Sequence, residues 1–302
     1  MPTRTFATTD GVILDPRRFA EHATLTRPVC HPALDTWIEH YWTVQWSLPA
    51  GASYRSSLVP VAQANLTIEP GACRRAGAST PGVFVTGVVS RTRFDVTLTG
   101  SGGAVGVKFR PGALTALTGI AATGLRDRVV PAGEILPGAE QLLDLHADQP
   151  DAIDRLDAFL LPLATGDNIE LDAVGAVIAT LEESIPAMSA AELAERCEMG
   201  LRSLQRLCRH YVGVGPQWLV ARSRVHTAIA RLHAGDYDTL AELAVELGWF
   251  DQAHMGRDFT ALVGESPGAY RDRINADSDC RGPHEVSGER SGGELRGAGL
   301  DS

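Results

Sequence analysis

"AELAERCEMGLRSLQRLCRHYVGVGP" (191–216) and "AELAVELGWFDQAHMGRDFTALVGESP" (241–267) open on the same four residues, and each runs to a Val-Gly pair followed by a proline. Each stretch has the pattern of a short apolar-striped helix, a turn and a second helix, with the proline placed to start the next helix. The second copy is one residue longer before its Val-Gly. Two short helices joined by a tight turn describe a helix-turn-helix, whose second helix fits the major groove of double-stranded DNA.

Between the copies lies "GPQWLVARSRVHTAIARLHAG" (215–235), with Pro216 at the first turn and Gly235 after the last. These signals predict a helix over Pro216–Ala234, a rod about 28 Å long. That is close to the roughly 34 Å between successive major-groove faces on one side of B-DNA, so one chain can present two reading units to adjacent groove segments.

Charge divides unequally between the copies. From Arg196 to Arg231 seven arginines stand against Glu198 alone, whereas from Asp236 to Glu265 seven acids stand against Arg257 alone. A net charge of −10 for the chain therefore hides a basic patch in the first motif. Phosphate attraction is expected from that motif and the connecting helix, with the second motif adding a few directed contacts or supporting the fold. Candidate groove residues are Arg202, Ser203, Arg206 and Arg209, with Gln205 beside them, in the first reading helix, and Gln252, His254 and Arg257 in the second, near Gly256. Arginine engages guanine O6 and N7 with two hydrogen bonds, and glutamine does the same for adenine N6 and N7. Leu204, Leu207, Cys208, Met255 and Phe259 are expected to face the core.

The region from about Leu171 to Arg273 resembles the DNA-binding domain of the AraC/XylS family of bacterial transcription regulators. The match is densest in "GWFDQAHMGRDFTALVGESPGAYR", where Gly248, Asp251, His254, Arg257, Phe259, Gly264, Pro267 and Tyr270 occupy the family's signature positions. Ala253, Met255 and Thr260 depart from that pattern, as do Glu198 at the customary turn glycine and Gly200 at the customary N-cap serine. Glycine still serves as an N-cap, but Glu198 must take a backbone conformation that favours glycine. The resemblance implies a DNA-binding regulator with a variable sensor or dimerisation domain, often a cupin-like barrel, in its N-terminal half. The pairing of "IEHYWTV" with "GVKFRPGAL" is similar to one uncharacterised subgroup of such domains.

That N-terminal half has a different period. From Trp37 to Arg110 the apolar residues alternate, as in half-buried strands. In "IEHYWTVQWSL", Ile38, His40, Trp42, Val44, Trp46 and Leu48 are expected to share one face. "LVPVAQANLTIE", "GVFVTGVV", "RFDVTLTG" and "GAVGVKF" follow as short strands of an antiparallel barrel or sandwich. "GSGGAVG" (100–106) lacks the Lys-Ser/Thr of a phosphate loop and is expected to be a hairpin turn. Ile153, Leu156, Phe159, Leu160 and Leu163 stripe a helix that closes this half, and Leu156, Phe159 and Leu163 serve either barrel packing or a dimer interface. An effector pocket is sought at Trp42 and Trp46, with Arg91 and Arg93 as candidates for an anionic ligand.

The organisation expected is α+β with two domains. Residues 1–164 form a β-rich sensor or dimerisation domain, and 170–274 an all-α double helix-turn-helix. Residues 275–302, rich in Gly, Ser and charge, form a disordered tail. No run approaches the roughly 18 apolar residues of a membrane span, and the N-terminus lacks the apolar core of a signal peptide, so a cytoplasmic protein is expected. The five cysteines are scattered and odd in number, which points to reduced thiols; neither they nor His22, His31 and His40 have metal-ligand spacing, and no cofactor is expected. Expected partners are double-stranded DNA and a small-molecule effector, with RNA polymerase and a second copy of the chain beyond them. The alternative is a barrel enzyme or small-molecule carrier with a regulatory helical domain, since fold does not fix function; use of the acidic second motif in protein contacts is a third reading.

Overall fold

The structure is a computed structural model that describes residues 13–69, 71–78, 81–166, 168–183 and 188–279. Helix α1 (Pro16–His22), capped by Asp15, leads into strands β1 (Ala23–Thr26), β2 (Ile38–Ser47), β3 (Ser53–Leu58), β4 (Asn65–Glu69), β5 (Cys73–Arg75), β6 (Gly82–Thr86), β7 (Phe94–Thr99) and β8 (Ser101–Phe109). Helix α2 (Ala113–Thr118), strand β9 (Val129–Pro131) and helix α3 (Ala152–Leu160) follow. Six strands pair antiparallel in the order β1-β2-β8-β4-β6-β9, and β3-β7-β5 form a second sheet. Side chains of both sheets, among them Trp46, Tyr54, Cys73 and Leu98, meet in one cluster. The outer face of the larger sheet carries the main core, with Leu66, Val107 and Phe109 against Leu156 and Leu160 of α3.

Alternation along β2 is interrupted by a bulge between Ile38 and His40. An extra residue flips what precedes it to the other face. Ile38 therefore joins Tyr41 in the main core, while His40, Trp42, Val44 and Trp46 turn toward the space between the sheets; the expectation that Ile38 shares their face is corrected. Of the "GSGGAVG" stretch expected as a hairpin turn, only Gly100, at φ 53°, is the turn between β7 and β8; the rest is the start of strand β8. Its glycines have a packing reason: Gly106 pairs with Trp42, and a Cβ there would lie 2.2 Å from the indole. "LVPVAQANLTIE" is two elements, because β3 stops at Leu58 and β4 starts at Asn65. Pro60 has no N–H to continue a ladder, and 59–64 form a connecting segment.

The remainder is helical: α4 (Ile169–Glu183), α5 (Ala190–Arg196), α6 (Leu201–Leu207) with a π turn over Cys208–Val212, α7 (Pro216–Ala234), α8 (Leu240–Glu246), α9 (Gln252–Val263) and α10 (Pro267–Asp279). Helix α10 runs past the 274 boundary drawn from the sequence; the rest of that C-terminal stretch, with Cys280, lies outside the described residues. Cys30, Cys73 and Cys208 are buried, and burial pushes each thiol up to about 12. None of the described helices is long and apolar enough to cross a membrane.

Candidate nucleic-acid interface and the cavity beside it

The sequence repeat is a repeat of hydrogen bonds. Ser189 and Thr239 cap α5 and α8 by accepting from Glu192 N and Glu242 N at 3.2 and 3.1 Å. The turns close identically: Met199 N donates to Ala194 O and Trp249 N to Ala244 O, each at 2.9 Å, while Glu198 N reaches Glu195 O and Gly248 N reaches Val245 O, each at 3.0 Å. Both turns need a left-handed residue, Gly248 at φ 81° and Glu198 at φ 52°. Glu198 holds the strained conformation that the sequence required of it.

The second helices also superpose in register. Leu204, Cys208 and Val212 are buried in the first motif's core as Met255, Phe259 and Val263 are in the second's, and Gly213 and Gly264 end them at φ 89° and 85°. Arg206 and Arg257 thus occupy equivalent positions. Asp251 caps α9 by accepting from His254 N at 2.6 Å, whereas Gly200 caps α6 with no side chain.

Arg202, Ser203, Arg206 and Arg209 are exposed on the α6 side of the first motif and Gln205 is half-buried. Gln252 and Arg257 are exposed on α9; His254 is half-buried, with Nε2 3.8 Å from Asp258. The connecting helix differs from expectation. Arg222 Nε donates to Pro60 O (3.1 Å), Arg224 Nη2 to Met188 O (3.0 Å), and Arg231 pairs with Asp236 and Glu246. Three of the seven arginines counted for the basic patch are therefore engaged internally, Arg222 by the β-rich half and Arg224 and Arg231 by the helical half itself. His226 Nε2 also donates to Pro60 O (3.1 Å), and burial, with Arg222 adjacent, pushes its imidazole down to about 3.

Further bonds join the halves. Trp218 Nε1 donates to Ser90 O, Arg126 Nη1 to Gly213 O, Arg93 Nη1 to Val263 O and Tyr270 Oη to Leu14 O. Arg126 and Arg93 each place a cation at the C-terminal end of one reading helix, where the helix dipole is negative. Arg93, sought as an effector contact, is thus a strut between the halves that also pairs with Asp95, and Arg91 is exposed beside Asp127.

Trp42 and Trp46 do line a cavity, of about 230 Å³, between the two sheets. Neither Arg91 nor Arg93 lines it. Periodicity placed His40 on this face but missed the rest of the polar lining: Glu69, Arg75, Lys108, Gln63 and Ser56. Arg75 is buried; it binds Glu69 at 2.6 Å and donates to Thr86 Oγ1 and Thr67 Oγ1, each at 2.9 Å. Lys108 Nζ donates to Glu39 Oε1 at 2.8 Å.

Residues 193–273 match a family model described as a helix-turn-helix domain, and residues 27–131 one described as a domain of unknown function, DUF6597. No curated protein matches the chain. Among solved structures, the DNA-binding domain of AdpA, a global transcriptional factor, in complex with a target DNA is 26% identical, with 37% of this chain and 98% of that one covered and a TM-score of 0.31. An apo variant of ToxT from Vibrio cholerae is 11% identical over 78% of this chain and 97% of that one, with a TM-score of 0.39. An AraC-type regulator from Chromobacterium violaceum is 17% identical over 34% and 92%, with a TM-score of 0.32. Residues 193–273 are a helix-turn-helix domain, built of two motifs.

Proposed function

We propose that this chain is a transcription regulator that reads DNA with α6 and α9 and is modulated by a small molecule held in the cavity of its β-rich half. The observation that carries the reading is the duplicated hydrogen-bond frame, which sets two equivalent helices on either end of a 19-residue rod. Arg202, Ser203, Gln205, Arg206 and Arg209 supply most of the contacts; Gln252, His254 and Arg257 supply fewer, in an acidic setting. Residues 1–164 act as the sensor and 170–274 as the reader. A second copy of the chain and RNA polymerase are the further partners of this reading, which assigns the chain no catalytic role and places it in the cytoplasm.

Selection of random duplex DNA by the full-length protein, followed by affinity for the enriched site at two salt concentrations, tests it. A two-block motif spaced about one helical turn is expected, with a steep loss of affinity as salt rises. A single block assigns α9 to support of the fold. No enrichment overturns the reading.

A further inference from the structure

We propose that the cavity takes a small, uncharged, mainly apolar molecule carrying an N–H or O–H donor, and that docking on Gln63 reaches the reading helices through the Val59–Ala64 segment. The second part rests on the regulator reading; the first does not.

Charge balance argues for an uncharged occupant. The cations of the lining are already engaged: Arg75 by Glu69 at 2.6 Å, Lys108 by Glu39 at 2.8 Å, and His40 Nδ1 lies 3.7 Å from the same Glu39. Arg27 also has its own interactions. An anion entering would have to compete with the half-buried Glu39 for Lys108, or displace Glu69 from its desolvated pairing with Arg75 and leave a buried carboxylate without its cation. The walls are apolar and flat. Trp42 and Trp46 lie against Gly106 and Gly102, where any Cβ would meet the rings, and Phe94, Val96 and Leu98 face them from the smaller sheet.

One polar atom of this lining, Gln63 Oε1, on a residue 9% exposed, meets no partner among the described residues. The orientation of Gln63 follows from its neighbour. A carboxylate only accepts, so the amide turns Nε2 to Glu39 Oε2 (2.8 Å) and leaves its carbonyl oxygen over. A buried acceptor left without a donor is costly, and an occupant with one donor satisfies it. At about 230 Å³ the space is smaller than the roughly 300 Å³ at which drug-sized sites begin, so the occupant is small.

Gln63 lies three residues past Pro60, whose carbonyl accepts from both Arg222 and His226 of α7. On either side, Val59 is buried in the core of the second motif and Ala62 in that of the first. One short segment therefore touches the cavity, the connecting rod and both motif cores. An occupant that moves it favours one arrangement of the two reading helices over another, as population shift demands.

Calorimetric titration of the full chain with indole, 1-methylindole and 1-naphthoate tests the ligand class. Indole is expected to bind at least tenfold more tightly than either other probe, and Gln63→Leu to bind 1-methylindole as the parent does while losing the preference. Equal binding of indole and 1-methylindole, tighter binding of the naphthoate anion, or binding of none of the three overturns it. The route is tested by affinity for the selected duplex with and without saturating indole. A shift of threefold or more is expected in the parent and in His226→Gln, which keeps a donor for Pro60 O, and its loss in His226→Phe. An unchanged affinity in the parent, or an undiminished shift in His226→Phe, overturns the route. Failure to select any duplex sinks the regulator reading and the route with it, while the calorimetric result still decides the ligand class.

Discussion

The two helix-turn-helix copies share a backbone frame to a tenth of an ångström in their turn bonds, yet their side chains have been fitted to different tasks. The first is basic and locally strained: Glu198 sits at positive φ, Gly200 caps without a side chain, and α6 finishes in a π turn. The second is acidic and well made, with Gly248 in the turn, Asp251 as cap and an uninterrupted α9. The difference teaches that surface chemistry and backbone quality are separable within one motif. The copy with the charge for phosphate contact is the one with the poorer local geometry, and packing against the rest of the chain holds it.

Arg206 and Arg257 give the most direct way to break this comparison, because they are the same position in the two frames. Arg206→Ala is expected to weaken affinity for the selected duplex by about 1–3 kcal/mol and Arg257→Ala by less than half of that. Equal losses by fluorescence anisotropy would mean that the acidic setting of α9 does not matter.

Next in size is the rod between the copies. The folded chain keeps His226 neutral down to about pH 3, whereas an unfolded chain protonates it near 6.5. Its contribution is therefore whole above pH 6.5 and fades as pH falls, by about 2 kcal/mol at pH 5. Burial lowers His233 in the same direction. Urea denaturation at pH 7.5 and pH 5 should show the loss, and His226→Gln should reduce it.

Caps come third. Asp251→Ala should cost about 1 kcal/mol of stability, and Gly200→Ser should gain a few tenths, since Gly200 already has the extended backbone of a cap. Urea midpoints that move oppositely would support the contrast; two losses would mean that α6 tolerates no side chain at its start. The turns differ as well. Glu198→Gly is expected to stabilise by about 0.5–1 kcal/mol. No gain in midpoint would show that Glu198 carries a compensating interaction.

Local patterns made the repeat legible. The repeated Ala-Glu-Leu-Ala, the helical stripe of Leu204 and Cys208, and Gly213 before Pro216 are all signals spanning a turn or two. What the sequence withheld depends on pairing across distance. The bulge that turns Ile38 away from His40 arises from the register of β2 on β8, not from either strand alone. Gln63, Glu69, Arg75 and Lys108 alternate with apolar residues in different segments, so no spacing groups them. Arg222 and His226 look like a solvated basic stripe until Pro60 covers them, and Arg93 meets Val263 across 170 residues.

Leu14 ends the chain's account at its own beginning. Its carbonyl accepts from Tyr270 Oη at 2.9 Å, a contact spanning 256 residues, and its side chain is buried in the second motif's core beside Val59. During synthesis Leu14 is made well before its partners on α9 and α10, Tyr270 coming 256 residues later. The second motif therefore closes a very long loop, a slow step by the entropy of loop closure, and its core is complete only when the β-rich half has already been made.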